Sequence, residues 1–132
     1  MSRVRLNGSS ILHDGGFPYS ATVSPGSLIF TAGISPLDEN GAVGASGDVV
    51  GQTRICLANL AAVLGEQGAT FADVAKLTIY VAERLQADLY VAWEAVAAEF
   101  ETVPPAMMMG VTVLPYDGQL VEIEAVAAPP HG

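Results

Sequence analysis

Two helical segments, each set between strand-like runs, constrain this chain more than any other feature. Asp48 stands as an N-cap before a segment reaching about Gln67, in which Cys56, Leu60, Val63 and Leu64 recur at helical spacing. Gly68 follows where a glycine, free to take positive φ, ends a helix. The second segment, Gln86 to Phe100, places Leu89, Trp93, Val96 and Phe100 on one face, and Pro104-Pro105 stops it. Around them lie runs rich in β-branched and aromatic residues: Ala21–Ser24, Leu28–Thr31, Val74–Ala82, Ala106–Val113 and Gln119–Ala127, with a further short strand near Val4–Leu6. Pro25-Gly26, between the first two runs, has the residues of a type II turn. The order β-β-α-β-α-β-β implies an α+β sheet with both helices on one face. The other face stays bare and partly apolar, so the physical expectation is sheet-to-sheet association into a closed oligomer.

With 51% hydrophobic and 14% charged residues, the 132-residue chain is too apolar to be disordered, and one domain over residues 1–132 is expected. The formal charge is −9. The five basic residues are Arg3, Arg5, Arg54, Lys76 and Arg84, with none beyond the last. Nucleic-acid binding runs on cations that displace counterions from phosphates, which makes it a poor expectation here. Cys56 is the only cysteine, so an intrachain disulfide and a zinc ribbon are both excluded. The N-terminal residues lack the apolar run of a signal peptide. Gly15 to Leu37 carries no charge, yet its Gly and Pro residues break any lipid-exposed helix. A cytoplasmic protein with no membrane partner is the expectation.

Glu122 and Glu124 lie two apart on a strand, so their side chains share a face with Leu120 and Val126, roughly 6–7 Å apart. A carboxylate among apolar neighbours suits general acid–base work, whereas on a solvated face it is an ordinary surface charge. His13 and His131 are the only imidazoles, and the latter sits in a terminal Pro-Pro-His-Gly tail. His-x-x-x-His, Cys-x-x-Cys, Gly-x-Ser-x-Gly and a phosphate-cradling loop are all absent, so no metal or cofactor is expected. Cys56 falls on the apolar helix stripe and reads as core. Met107, Met108 and Met109 read as packing residues or as a soft pocket wall. Tyr19 is either a pocket hydroxyl or a packed ring. Taken alone, these residues specify no reaction.

Four segments together resemble the Rid (YjgF-like, RidA-like) family, also labelled endoribonuclease L-PSP. They are Pro18-Tyr19-Ser20, then Leu28 to Pro36 (LIFTAGISP), then Gln52-Thr53-Arg54 followed by Leu57 to Leu64 (LANLAAVL), and finally Leu120 to Ala127 (LVEIEAVA). The resemblance spans nearly the whole chain in order. It implies a chorismate-mutase-like fold with a mixed sheet, a homotrimer and ligand clefts between subunits. It also implies hydrolysis of reactive enamines and imines derived from amino acids, giving a 2-oxo acid and ammonia. Family members hold the substrate carboxylate with an Arg, aided by a Tyr, a Ser or backbone group, an Asn, and the first Glu of the EIEA run. Carried over, Tyr19 and Glu122 match as catalytic residues. Ala32 stands at the Ser, with Gly33 beside it, and Ala92 stands near the Asn. Ala106 or Met107 takes the Arg position, with Met108 beside them. An absent Arg forfeits a charge-assisted bidentate contact, so a ligand without a carboxylate is expected. Three functions remain open: an imine or enamine hydrolase or tautomerase-like enzyme, a non-catalytic metabolite-binding trimer, and a ribonuclease, the last opposed by the charge.

Overall fold

The computed structural model describes residues 2–13 and 15–131. Helix α1 (Val49–Glu66) begins where the sequence marks it: Asp48 Oδ1 accepts the Gly51 N–H at 2.9 Å. It ends at Gln67, and Gly68 takes φ +79°. Strands β1 (Val4–Asn7) and β2 (Ser20–Val23) form an antiparallel ribbon. Strands β3 (Ile29–Phe30), β4 (Val74–Val81), β5 (Ala106–Gly110) and β6 (Val121–Ala127) form a second sheet in the order β3-β6-β4-β5. It is mixed, because β4 runs parallel to β5 and antiparallel to β6. Helix α2 (Gln86–Ala97) makes the β4–β5 crossover.

Both helices pack on one face of this sheet. Alternate strand residues Leu77, Ile79, Val81, Val121, Ile123 and Ala125 meet Cys56, Leu57, Leu60 and Leu64 of α1 and Ala92 and Val96 of α2. Phe100 lies past the end of α2 and stacks on Phe71, with ring centroids 4.6 Å apart.

The Pro25-Gly26 bend lies between β2 and β3. Gly26 does adopt positive φ, at +148°, but β2 and β3 pair with different partners, so the bend joins two sheets rather than closing a hairpin. Arg3 holds it there: its guanidinium donates to Ser24 O at 2.8 Å, Ser27 O at 2.8 Å and Pro129 O at 3.0 Å. A Cβ on Gly26 would clash with that group.

Cys56 is core, as expected. Its thiol faces the Val121 carbonyl at 3.6 Å, and burial, helped by the Glu122 charge, pushes its pKa up to about 12. The folded state therefore holds this proton longer than the unfolded one. The thiol favours folding below the unfolded value of about 8.5, and that contribution is lost as pH rises toward 12. Since the thiolate is the nucleophile, an aromatic disulfide reagent at about pH 8 should leave the native chain unlabelled and take up one equivalent in denaturant. Rapid native labelling would contradict this burial.

Candidate active site on the open sheet face

The sheet face away from the helices carries Lys76, Thr78 and Tyr80 of β4 and the even-numbered residues of β6. Register sets them in rows: Met109, Tyr80 and Glu122; then Met107, Thr78 and Glu124; then Lys76, Val126 and Phe30. Phe30 is 71% and Met107 55% exposed, so apolar and acidic groups are interleaved on an uncovered surface. Tyr80 donates its hydroxyl proton to Glu124 Oε1 at 3.0 Å. That bond, with smaller effects of desolvation and the two carboxylates, raises the phenol's pKa.

Glu122 sits in a shaped cradle. Between the pairs Phe30–Val126 and Ile34–Ile123, the β3 segment advances four residues while β6 advances three. The extra residue makes a bulge, a device that re-aims side chains at a strand margin. It brings the backbone of Gly33 against the Glu122 carboxyl group: a Cβ there would lie 2.7 Å from Cδ and 3.0 Å from each oxygen. Ser35 Oγ donates to Oε1 at 3.0 Å. Gln119 Nε2 donates in turn to Ser35 Oγ at 3.1 Å.

Tyr19 belongs to a different part of this surface. A shallow pocket of about 370 Å3 is lined by His13, Phe17, Tyr19, Lys76, Pro105 and Ala106, among others. Phe17 anchors the approach to it by edge-to-face contact with Trp93 of α2, centroids 5.3 Å apart. The Tyr19 hydroxyl donates to the His13 carbonyl. Its proton is thereby committed, and the phenol oxygen meets a ligand as an acceptor.

A family model described as Endoribonuclease L-PSP matches residues 15–129. The chain belongs to the Rid, or endoribonuclease L-PSP, family. A "RutC family protein" of Pyrococcus abyssi is 34% identical over 112 residues, covering 83% of this chain and 85% of the relative. A Salmonella typhimurium protein named 2-iminobutanoate/2-iminopropanoate deaminase is 34% identical over 113 residues, covering 83% and 86%. Among solved structures, the Rid-family protein YyfB of Yersinia pestis, titled as of unknown function, superposes with a TM-score of 0.83. Its identity is 31%, over 95% of this chain and 98% of its own.

The Rid-family positions named from sequence divide between two faces. Glu122, Gly33 and Met107 share the open face, and Ala32 is exposed beside Gly33. Ala106 lines the Tyr19 pocket. Ala92 is fully buried among core residues on the helix side, and Met108 packs against that same core. Neither reaches Glu122, because α2 turns Ala92 inward and strand alternation puts Met108 opposite its neighbours. Met109 stands in the Glu122 row instead.

Asn59, the last asparagine in this Rid-family chain, is spent on structure, its amide donating to Ser35 O at 3.1 Å and Leu37 O at 3.0 Å. Sequence reasoning also passed over Ser35, Gln119 and Lys76. No basic residue follows Arg84, but the parallel β4–β5 pairing sets Lys76 next to Pro105 and Ala106 in the pocket. Among the described residues, no group of three His, Cys, Asp or Glu side chains is placed to hold a metal ion, and no helix is long and apolar enough to cross a membrane.

Proposed function

We propose that this Rid-family chain works as a homotrimer whose intersubunit clefts take a small, fairly apolar imine or enamine and hydrolyse it. The Glu122 cradle carries this reading: a carboxylate fixed on Gly33, with Ser35 on one oxygen, beside uncovered apolar groups that a second copy would bury. In the reaction, water adds to the C=N carbon while Glu122 takes one of its protons. Returning that proton to nitrogen completes the carbinolamine; Glu122 then carries the hydroxyl proton to nitrogen as the C–N bond breaks, leaving a carbonyl compound and ammonia. Tyr19, as an acceptor, orients the water or an N–H. Met107 and Met109 supply wall.

Alanine or methionine at the carboxylate-binding position favours substrates without a carboxylate. The test is ammonia release from 2-aminoacrylate and from an aliphatic imine generated in place by an amine oxidase. Wild type should prefer the latter. Met107→Arg or Ala106→Arg should raise 2-aminoacrylate turnover on the order of tenfold, the worth of one charge-assisted contact. Robust wild-type turnover of 2-aminoacrylate would defeat this preference. Light scattering should return about three times 13.6 kDa, and a monomer would remove the cleft.

Lys76 favours a second reading. Its ammonium lines the pocket with Tyr19 and Ala106, so an anionic group can be met by a point charge from β4 in place of a guanidinium fork. Under it, Lys76→Gln weakens 2-aminoacrylate turnover and leaves the neutral imine unaffected. Ligand-induced thermal shifts with no product from any probe would mark a metabolite-binding protein instead.

A further inference from the structure

We infer that Ser35, aimed by Gln119, is a positioning residue that holds Glu122 with Oε1 engaged and Oε2 open to the ligand. The inference rests on the reading of Glu122 as the ligand-facing carboxylate, and it follows from counting protons along one chain of contacts. Gln119 is only 4% exposed. Its Oε1 accepts the Tyr116 N–H at 3.2 Å, which fixes which end of the amide faces which way. The nitrogen then donates to Val121 O at 3.0 Å and to Ser35 Oγ at 3.1 Å. An amide N–H can only donate, so the Ser35 oxygen accepts there, and its single proton goes to Glu122 Oε1 at 3.0 Å. The Ser35 backbone is itself pinned by Asn59. Gly33 packs against one face of the carboxyl group.

Every link upstream of Glu122 is thus used once, in one direction, and one carboxylate oxygen is left over. A ligand therefore meets one uncommitted oxygen, Oε2, beside an oxygen that already shares its electron density with the Ser35 proton. That favours one-donor groups, such as an imine N–H or a water, over amidine-like cations that bind both oxygens. The hydroxyl doing this lies three residues after Ala32, on the same bulged segment as Gly33.

The test reads the relay directly. The side-chain amide resonances of Gln119 are followed by nitrogen-15 NMR between about pH 3 and 7, where carboxylates titrate. The titratable groups around Glu122 are Glu124 on its own strand, Tyr80 on β4 and Cys56 on α1. The last two stay protonated over that range, and a Glu124→Gln background removes the first. In wild type the Gln119 resonances should move with pH, and Ser35→Thr, which keeps the hydroxyl, should preserve the movement. Ser35→Ala and Glu122→Gln should abolish it while both amide resonances persist, since Val121 and Tyr116 still hold Gln119. An unchanged titration in Ser35→Ala, or none in wild type, overturns the relay. With an imine that wild type hydrolyses, Ser35→Ala should lower kcat on the order of tenfold with little change in KM, and Ser35→Thr should restore it. If wild type hydrolyses no probe, the catalytic reading fails and the NMR outcome alone decides the relay.

Discussion

Gly33→Ala should cost this protein its site while sparing its fold. The added methyl would lie 2.7 Å from Glu122 Cδ, inside any permitted contact. What it meets is the end of a flexible side chain and not backbone, so the carboxylate swings away and the strand stays. Leaving its place, Glu122 gives up the Ser35 hydroxyl, a hydrogen bond to a charged group that contributes about 1.5–3 kcal/mol. Under the proposed hydrolysis Glu122 also moves off the reacting atoms, where displacement of about 1 Å costs on the order of a hundredfold in rate. Ammonia release should fall at least that far, with the thermal midpoint nearly unchanged. A Gly33→Ala protein with full turnover would mean that the cradle does not set the chemistry. A steep loss of stability would instead show that the segment after β3 cannot yield as described.

The largest loss of stability should come from Gln52→Met. Gln52 is fully buried on α1 and ties the helix to the turn before β6. Its Oε1 accepts the Leu120 N–H at 2.7 Å, and its Nε2 donates to Gly118 O at 3.0 Å and, at 3.4 Å, to Ala45 O. Methionine keeps nearly the same volume, so little cavity forms, but the amide of Leu120 loses its partner in a dry place. Each buried polar group left unpaired costs about 1–3 kcal/mol, so roughly 3 kcal/mol in all is expected. For a chain of this size the midpoint should drop by about 10 °C. Denaturant unfolding with an unchanged m-value would assign the loss to stability alone. A change below about 0.5 kcal/mol, the scatter of ordinary surface substitutions, would refute the anchoring role.

Local signals in the sequence carried the helices well, because caps and apolar spacing are properties of neighbouring residues. Asp48 and Gly68 mark α1 at both ends, and the stripe through Cys56, Leu60 and Leu64 is the buried one. Strand partnership is not local. Nothing near Ile29 says that it will lie beside Ala127, or that Arg3 will grip the bend between β2 and β3. For the same reason Glu122 was legible and its support was not. The VEIEA run names the carboxylate, but Ser35 and Gln119 reach it from distant segments, and Lys76 reaches Ala106 only through parallel pairing. Of the three methionines, alternation along β5 decides which one faces inward, and the strand's register is invisible before its partners are known.

The split of the fold into a ribbon and a main sheet bears on how such a protein changes over evolutionary time. Tyr19 stands just ahead of β2, while Glu122 and its supports belong to the four-stranded sheet and the turns beside it. Substitutions in the segment ahead of β2 can therefore reshape the pocket without touching the cradle, as can changes at the start of β5. The Tyr19 segment and the Glu122 cradle thus sit on separate pieces of chain. Under the proposed function, a lineage built this way is free to place alanine or methionine at the carboxylate-binding position, try a new class of ligand, and keep Glu122 in its cradle.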